Sequence, residues 1–514
     1  MLYDTINVGD DMKKILLCIM DGVGYRENRL GNAVKNASTP YIDMLSTKYP
    51  NIELEASGSF VGLPEAVMGN SEVGHSTIGS GRIIYQSLVK INNSIRDKSI
   101  FDNKVLIDTM DMAKENNKKL HLIGLLSDGR IHSDINHLFT LLEMCKKRNV
   151  SKVYIHVVTD GRDTSPVAGI KFIDLLNKKI RELGVGKIAT VCGRYYMMDR
   201  DNRFDRVELA YKMLVDGIGD KYETASDAWH SNQDMGITDE FIKPSIINDN
   251  GMINDGDSVI AFNFRPDRLR ELFSALSNKD YQCFDRTIVN ELKVVTMMPV
   301  ADTVKCKNVF SYDIVDNTLG MVISKRGLSQ LRIAETEKYA HVTYFFDGGR
   351  ELKLDGCERI LIPSPSVATY DLKPEMSAEE ITDTLIQKIE ENKYDLVVVN
   401  FANGDMVGHT GVYDKGVIAV ETVDRCLDRI ISKIDLSEYT VIITADHGNC
   451  EQMINDDGSI NTQHTTNRVP FIVLDKNITL KNVVGKLSDI APTILSIMGI
   501  DIPKEMNGEV LVEE

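Results

Sequence analysis

The chain has 514 residues, of which 43% are hydrophobic and 26% are charged, and its formal net charge is −17. This length exceeds what one ordinary hydrophobic core uses, so we expect two or more domains. The acidic balance argues against a nucleic-acid partner or an anionic membrane surface, since both need clustered basic residues, and it leaves a small-molecule substrate open.

The cysteines and the amino-terminal region indicate the compartment. Eight cysteines are scattered without a CxxC pair, which favours reduced thiols over a disulfide framework or a zinc–thiolate site. No apolar run approaches the roughly 18 residues of a membrane span, and the run ILLCIM at residues 15–20 is too short for a signal peptide. Residues 1–11 are expected to be a disordered extension. We therefore expect a cytoplasmic protein, and nothing in the sequence requires more than a monomer.

Short apolar runs rich in Val and Ile alternate with amphipathic helical patterns along the chain. These runs are apolar continuously, which is typical of parallel strands covered on both faces and predicts an α/β fold. Three helices are predicted. One covers residues 420–434, one begins after a capping box formed by Ser377 and Glu380, and one begins near Pro166, which suits a first-turn position. In chain order, the predicted strands are residues 15–20, 120–126, 153–158, 188–192, 259–264, 294–297, 396–401, 441–445 and 471–474.

Most of the predicted strands end in a short polar signature. Ligands of open α/β sheets lie outside the carboxyl ends of the strands, so these signatures predict binding sites. The signatures near the two termini are rich in Asp and His, whereas the middle ones are rich in Arg, which predicts one domain for metal and one for an anion. In chain order they are IMDGVG, LLSDGRIHS, VVTDGRDTSP, VCGRYYMMDR, FNFRPDR, NFANGDMVGH and ITADHGN.

The Asp and His signatures together predict a metal centre. A single Asp–His pair is usually only a hydrogen-bonded loop, but several strand ends of this kind are hard to explain separately. The mixed nitrogen and oxygen set suits Mn²⁺ or Zn²⁺ better than Ca²⁺, and six ligands suit two ions better than one. The candidate ligands are Asp21, Asp405, His409, Asp446, His447 and His464.

The stretch MGNSEVGH at residues 68–75 contains a candidate nucleophile, Ser71. On its own the stretch also fits a loop whose polar residue caps a helix, and it lacks the G-x-S-x-G spacing of a nucleophile elbow. A divalent cation would lower the pKa of a coordinated hydroxyl, so Ser71 needs no histidine base. We expect Asn70 to cap the helix and His75 to be a packing residue or a support for the ligands.

With these motifs, the chain resembles the cofactor-independent (2,3-bisphosphoglycerate-independent) phosphoglycerate mutases of the alkaline-phosphatase-like metalloenzyme superfamily. The resemblance rests on MGNSEVGH, SDGRIHS, TDGRDTSP, GRYYMMDRDNR, FNFRPDR, ETEKYAHVTYFF, PSPSVATYDLKPEMSA, GDMVGHTG and TADHGN, in this order. It implies an alkaline-phosphatase-like, mostly parallel sheet domain with a second α/β domain inserted into it. The expected boundaries are residues 1–85 with 315–514 for the first domain and 86–314 for the second.

The resemblance also implies an activity and a role for each matched residue. The activity is interconversion of 3-phosphoglycerate and 2-phosphoglycerate in glycolysis and gluconeogenesis, without bisphosphoglycerate and with two divalent ions, Mn²⁺ first among them. Ser71 would carry the phosphate, and Asp163 is our candidate general acid and base. One ion would be held by Asp405, His409 and His464, and the other by Asp21, Ser71, Asp446 and His447. The substrate would be held by His132, Arg162, Asp163, Arg194, Arg200, Arg265, Arg268 and Lys338.

Alternative interpretations remain at this point. The same metal core would serve a phosphohydrolase or a phosphopentomutase, and a non-catalytic metal or phosphate sensor is an alternative of another class. Each arginine could form only a surface ion pair. Asp163 could be locked to Arg162 as scaffold, and His132 could be an ordinary loop histidine. The arginine-rich middle region favours a mutase, because a hydrolase needs no pocket that retains the organic part of its substrate.

Overall fold

The computed structural model describes residues 12–513. The extension predicted at residues 1–11 lies outside the described residues. Within the described range, no helix combines the length and the apolar character that crossing a bilayer requires.

The chain alternates strands and helices, which confirms the predicted α/β class. In chain order, β1 to β16 are Lys14–Met20, Asn51–Glu55, Leu120–Leu125, Val153–Thr159, Lys187–Gly193, Asp220–Lys221, Ser245–Ile246, Ser258–Ala261, Lys293–Thr296, Lys307–Asn308, Gln330–Glu335, Cys357–Ile362, Leu396–Phe401, Tyr439–Thr444, Val469–Leu474 and Gly485–Lys486. The α-helices α1 to α17 are Ala33–Asn36, Pro40–Lys48, Ser71–Ser80, Ser87–Arg96, Lys104–Glu115, Ile135–Arg148, Gly169–Leu183, Arg194–Met197, Phe204–Val215, Ala225–Asp234, Arg270–Ser277, Leu319–Lys325, Thr336–Ala340, Ala378–Glu390, Asn403–Gly408, Tyr413–Ile431 and Ile490–Ile497.

The chain forms two compact units. The first unit comprises the residues up to Gln86 together with those from Asp313 onward, and the second is Ser87–Tyr312. The second unit is therefore contained within the sequence of the first. Each unit is built on its own eight-stranded sheet.

The sheet of the first unit has the order β12-β11-β13-β1-β14-β15-β2-β16. β1 pairs in parallel with both β13 and β14, so that Met20 lies beside Phe401 and Ile19 beside Thr444. These three strands are buried along almost their whole length, as their continuous apolar runs predict. Because they run in parallel and in register, the residues that follow them meet at one edge of the sheet.

The sheet of the second unit has the order β10-β9-β8-β3-β4-β5-β7-β6. Its central strands β8, β3, β4 and β5 are parallel neighbours. The loops after them therefore open at one edge too, and they carry the arginine-rich signatures. Thr159 at the end of β4 lies beside Gly193 at the end of β5, directly before Arg194.

Several predictions of elements need correction. All nine predicted strands are present, but the strand predicted at 259–264 ends at Ala261. Beyond Ala261, the Leu125 N–H of the neighbouring strand donates to the Asn263 side chain at 2.9 Å and not to a backbone carbonyl. The longer strands β2, β11 and β12 and four two-residue strands were not predicted. β11 lacks a continuous apolar run because it buries Arg332, whose guanidinium donates to Gln330 and to the Val342 carbonyl.

Two predicted helix starts are wrong in detail. Ser377 is the N-cap residue of α14 but makes no capping hydrogen bond, because its hydroxyl donates to the Pro363 carbonyl at 2.7 Å. Pro166 lies ahead of α7, which begins at Gly169. The Gly169 N–H is capped instead by the Asp239 carboxylate at 2.6 Å.

Candidate metal centre and arginine site

The predicted metal ligands of the first unit converge at the carboxyl edge of its sheet. Asp21 follows β1, Asp405 lies in α15 after β13, and Asp446 follows β14. β15 is antiparallel to β14, so its starting end lies at the same edge, close after His464. The three carboxylates are almost completely buried. The parallel topology is what brings residues from distant parts of the chain together.

Ser71 is the first residue of α3 and lies inside this cluster. Asn70 caps the helix by accepting a hydrogen bond from the Val73 N–H at 3.1 Å, which confirms the predicted cap. The Ser71 hydroxyl lies 2.9 Å from His447 Nε2 and 3.2 Å from Asp21 Oδ1. Lys338 Nζ donates to the same hydroxyl at 2.7 Å. The hydroxyl is thus held among a carboxylate, an imidazole and an ammonium group.

Two of the predicted histidine ligands share one carboxylate oxygen. His409 Nε2 lies 3.2 Å and His464 Nε2 3.1 Å from Asp405 Oδ1. The two Nε2 atoms are 3.0 Å apart. Asn449 fixes the same oxygen by donating to it at 2.8 Å. Three donor atoms therefore converge on one point, which is the arrangement that a metal ligand set needs.

The outer nitrogens of these imidazoles are held by backbone carbonyls. Nδ1 of His409 lies 2.7 Å from the Thr462 carbonyl, Nδ1 of His464 lies 2.8 Å from the Gly69 carbonyl, and Nδ1 of His447 lies 3.2 Å from the Gly448 carbonyl. A hydrogen bond to a carbonyl fixes the proton on Nδ1 and leaves the Nε2 lone pair directed into the cluster. This is the tautomer that coordinates a metal ion through Nε2.

The charges of the cluster also fit divalent cations. Lys338 Nζ lies 2.8 Å from Asp21 Oδ1 and 2.7 Å from Asp405 Oδ2, and among the described residues it is the only Lys or Arg paired with these buried carboxylates. Burial raises the pKa of Asp21, and the neighbouring Asp446 carboxylate raises it further. Asp446 Oδ2 is buried, and His75 Nδ1 lies 3.1 Å from it. One ammonium does not balance three buried carboxylates, so the donor set suits added positive charge.

Ligand atoms within 4.8 Å of one another form two groups in the described structure, Asp405 with His447 and His464, and Asp21 with His75 and Asp446. The first overlaps one predicted ligand set, and the second brings in His75. Both ring nitrogens of His75 have protein partners. Its Nδ1 lies 2.9 Å from the Ser71 carbonyl, and the Asn400 amide lies 3.0 Å from its Nε2. His75 is therefore placed to orient its neighbours, as we expect from the sequence.

In the second unit, Arg194 joins two of the strand-end loops. Its guanidinium donates at 2.6 Å both to Asp160 Oδ1 and to Asp163 Oδ2. Asp160 also accepts from the Ser127 hydroxyl at 2.6 Å and from the Asp163 N–H at 3.0 Å. Asp163 is therefore paired with Arg194, whereas Arg162 is half exposed and lies 3.7 Å from Glu240.

A group of arginines surrounds the buried Arg268 side chain. Burial lowers the pKa of Arg268, and the positive charges of Arg194, Arg200 and Arg162 lower it further. Its Nη1 donates to the Met198 carbonyl at 2.9 Å, whereas its Nε is buried without a partner. Arg265 at the start of the same loop is exposed. Like charges gathered in this way, with an unsatisfied N–H donor, are suited to binding an anion.

His132 lies at the edge of this arginine group. Burial lowers its pKa to about 4, and Arg194 contributes to the shift, so the imidazole is neutral at neutral pH. Its Nδ1 is buried without a hydrogen bond and lies 3.7 Å from Asp267 Oδ1, which also has none. Asp267 in turn binds Arg200 at 3.0 Å. His132 therefore has an unused polar atom at the anion site.

Several residues that stabilise these sites through hydrogen bonds were not predicted from the sequence. Asp160 and Asp267 lie within the quoted signatures TDGRD and FRPDR, and Asn449 ends ADHGN. The motifs were therefore recognised, but their spacing does not show which acidic residue binds a neighbouring side chain and which one faces a ligand. Asn400, which donates to Asp21 Oδ2 at 2.8 Å, lies inside the apolar run of β13 and gave no signal.

Comparisons with known proteins decide the family. The family model of the Metalloenzyme superfamily matches residues 13–502. A protein of Clostridium perfringens (strain SM101 / Type A) is 50% identical over 510 residues, covering 98% of this chain and 99% of the relative. A protein of Clostridium kluyveri is 52% identical over 507 residues, with 98% and 99% covered. Both are named 2,3-bisphosphoglycerate-independent phosphoglycerate mutase.

The chain belongs to the 2,3-bisphosphoglycerate-independent phosphoglycerate mutase family. The resemblance predicted from the motifs is thereby confirmed. A phosphoglycerate mutase of Leishmania mexicana, whose crystal structures were obtained at low cobalt concentration, is structurally similar, with a TM-score of 0.57, 29% identity and 98% of each chain covered. The mutase family also confirms the alkaline-phosphatase-like α/β fold class.

Proposed function

We propose that this chain interconverts 3-phosphoglycerate and 2-phosphoglycerate in glycolysis and gluconeogenesis through a phosphoserine on Ser71, without bisphosphoglycerate. The observation that carries the proposal is the position of the Ser71 hydroxyl, buried at a helix N-terminus and 2.7 Å from Lys338 Nζ. The names of relatives at about 50% identity support the substrate and the reaction.

Two divalent ions are part of the proposal, with Mn²⁺ as the first candidate. Asp405, His409 and His464 would hold one ion. Asp21, Ser71, Asp446 and His447 would hold the other. When bound, such ions lower the pKa of a coordinated hydroxyl and neutralise charge on phosphoryl oxygens. The inward Nε2 atoms and the excess of buried carboxylates support this assignment.

The residues around Ser71 would perform the first transfer. Ser71 Oγ, which has already lost its proton, would form a bond to phosphorus while the bond from phosphorus to the 3-oxygen of the substrate breaks, and it would leave in the second transfer in the same deprotonated state. The Lys338 ammonium already donates to Ser71 Oγ and can hold charge on the moving group. The first turn of α3 directs backbone N–H groups towards a phosphate on Ser71.

The second unit would hold the glycerate between the two transfers. Its carboxylate suits the forked guanidinium of the arginines, and Arg265 and Arg268 would bind phosphoryl oxygens. Asp163 would give a proton to the departing 3-oxygen and take one from the 2-hydroxyl. That hydroxyl then attacks phosphorus, and the bond from phosphorus to Ser71 Oγ breaks. The cluster of cationic side chains around Arg268 supports retention of the glycerate.

We also propose that the protein acts as a cytoplasmic monomer. The described cysteines are all free, several of them buried, which supports a reducing compartment. Light scattering coupled to size-exclusion chromatography tests the monomer, and a mass twice that of the chain would contradict it.

The reaction is tested with purified protein, 3-phosphoglycerate and Mn²⁺, with no bisphosphoglycerate present. Phosphorus NMR follows 2-phosphoglycerate and inorganic phosphate in the same sample. We expect the 2-isomer to accumulate to equilibrium with little free phosphate, and a metal-chelated sample to stay inactive. Release of phosphate faster than isomerisation would instead identify a phosphohydrolase and overturn the proposal.

A further inference from the structure

Glu451 is a buried acid that the proposed reaction does not use. It lies in a short 3₁₀ segment, Cys450–Gln452, and its side chain has no exposed surface. No ion pair to it occurs within residues 12–513. An isolated carboxylate is expensive to bury, so its retention here needs a compensating set of hydrogen bonds.

Four neutral donors supply those bonds, two to each oxygen. Oε2 accepts from the Gly24 N–H at 3.0 Å and from the Asn449 N–H at 2.8 Å. Oε1 accepts from the Asn467 amide at 2.9 Å and from the Thr465 hydroxyl. The carboxylate therefore has both oxygens fully engaged.

The donors belong to three segments that each carry a proposed metal ligand. Gly24 lies three residues after Asp21, Asn449 lies two after His447, and Thr465 follows His464. Within residues 12–513, no hydrogen bond or ion pair joins Glu451 to these ligands directly. One carboxylate thus ties together the three loops whose relative positions set the geometry of the ligands.

Two glycines make room for this carboxylate. A Cβ added at Gly24 would lie 2.5 Å from Glu451 Cδ, and one added at Gly448 would lie 2.4 Å from Glu451 Oε1. Glycine at these two positions therefore leaves the space that the carboxylate occupies. A larger side chain at either position would press on the carboxylate and its hydrogen bonds.

We propose that Glu451 is a positioning residue that sets the metal affinity of the site by holding these three loops in fixed positions relative to one another. The inference rests on the proposed metal ligands and deepens that proposal. Partners that orient metal ligands from outside the coordination sphere typically change metal affinity by 10- to 100-fold when they are removed.

The test is Glu451→Gln, which keeps the size of the side chain but replaces one acceptor oxygen with a donor NH₂ group. Two of the four donors then face another donor. We expect at least a ten-fold weaker Mn²⁺ affinity of the metal-stripped protein by isothermal titration calorimetry. At saturating Mn²⁺ we expect kcat to recover to within a few-fold of the unmodified protein, because no reacting group has been removed.

Asp475→Asn is the matched control in the same unit. Asp475 is also a buried carboxylate, and it accepts from the Thr440 hydroxyl at 3.0 Å and from the Asn477 N–H at 2.9 Å. Unlike Glu451 in the described range, it has an ion-pair partner, Lys13, at 3.7 Å. Thr440 lies near the start of β14, at the end of the sheet opposite to Asp446. This variant should lose stability without a change in Mn²⁺ affinity.

Should Glu451→Gln show no cooperative melting transition, Asn467→Ala removes a single donor to Oε1 and should weaken Mn²⁺ binding in the same direction by a smaller factor. Unchanged Mn²⁺ affinity in the folded variant, or a loss equal to that in Asp475→Asn, overturns the inference. These outcomes leave the proposed function intact. That proposal fails separately if the unmodified protein binds no Mn²⁺ or does not form 2-phosphoglycerate.

Discussion

The hydroxyl of Ser71 lies among the charged groups of the metal-ligand cluster, where it contacts Asp21, His447 and Lys338. His75 on the same helix also reaches the cluster, because its Nδ1 lies 3.1 Å from Asp446 Oδ2. Replacing this hydroxyl removes the nucleophile and leaves the backbone of the helix and its Asn70 cap unchanged. The chemical and structural roles of this residue are therefore separable by mutation.

We expect Ser71→Ala to lower the rate of 2-phosphoglycerate formation by at least about 10⁴-fold, because loss of a covalent nucleophile removes the whole pathway. The thermal unfolding midpoint should change little. Ser76→Ala on the same helix is the control and should keep its activity. Substantial residual mutase activity in Ser71→Ala would contradict the covalent route.

Asp163 and Asp160 both bind Arg194, and a pair of variants separates their roles. Asp163→Asn keeps an acceptor for Arg194 but cannot carry a proton, so we expect kcat to fall by about 10²- to 10⁴-fold with little change in stability. Asp160→Asn should chiefly lower stability, because this buried carboxylate accepts from Arg194, Ser127 and the Asp163 N–H. Steady-state kinetics and thermal unfolding measure both effects.

An Asp163→Asn variant whose kcat stays within about three-fold of the unmodified value would identify Asp163 as scaffold for Arg194, since general acid–base groups contribute more than this. The proton would then have to travel through another group at the site. His132 is the next candidate, because its buried Nδ1 has no protein partner.

At the scale of elements, helix α3 lies directly against the loop that follows β14. Gly74 is the point of closest approach, where an added Cβ would lie 2.7 Å from the Asp446 carbonyl oxygen and 2.9 Å from Asp446 Cβ. At such distances a neighbour must move, and here the neighbour is backbone that carries a proposed ligand. The glycine therefore allows the helix that carries Ser71 to reach Asp446.

Gly74→Ala tests this packing. Alanine favours a helix over glycine by about 1 kcal/mol, but overpacking of a close contact costs about 1–3 kcal/mol. We expect the clash to dominate, with lower stability and weaker Mn²⁺ binding, measured by thermal unfolding and calorimetry. Ser76→Ala changes the same helix without the clash. A stabilised Gly74→Ala variant with normal Mn²⁺ affinity would contradict the close-packing argument.

The elements also show what sequence patterns can and cannot predict. Continuous apolar runs predicted β1, β13 and β14 because these strands are buried on both faces. The search for continuous apolar runs missed β11, which contains the buried Arg332. The guanidinium of Arg332 is stabilised there by hydrogen bonds and by its position over the Phe346 ring. A buried charge of this kind depends on tertiary partners that the local sequence does not contain.

A similar division holds for the candidate sites. Asp21, Asp405 and Asp446 could be predicted to lie close together, because the carboxyl ends of parallel strands meet at one edge of the sheet. Lys338 was named only from the family resemblance, since one lysine in a polar stretch has no distinguishing pattern. Supporting residues such as Asn400 and Glu451 became visible only once the loops were in place.

At the scale of the whole molecule, the second unit concentrates buried histidines. Burial lowers the pKa of His137 to about 4 and that of His132 to about 4. It also lowers the pKa of His121 and His156, which share a hydrogen bond of 2.9 Å across β3 and β4. These imidazoles are neutral in the folded unit, and Asp257 accepts from the outer nitrogen of His121 at 3.2 Å.

This arrangement predicts a loss of stability in mild acid. In the unfolded chain a histidine takes up a proton as the pH falls through about 6.5, whereas folded His137 does so only near pH 4. Between these values the unfolded state binds more protons, so the stability of the second unit falls as the pH falls. For His137 alone the loss between pH 7.5 and pH 5 is about 2 kcal/mol.

The single tryptophan makes this loss measurable in one unit. Trp229 lies in α10 of the second unit, where its Nε1 donates to Asp239 at 2.6 Å. Urea unfolding followed by its fluorescence at pH 7.5 and pH 5 reports the stability of that unit. We expect His137→Gln to reduce the acid loss by about 2 kcal/mol, because glutamine does not titrate.

Asn92→Ala separates titration from hydrogen bonding in the same experiment. Asn92 Oδ1 lies 2.9 Å from His137 Nε2, so this variant loses the hydrogen bond but keeps the buried imidazole. It should be destabilised by a similar amount at both pH values, about 1 kcal/mol. Equal acid losses in the unmodified protein and His137→Gln would mean that other groups, not this buried histidine, drive the acid sensitivity of the second unit.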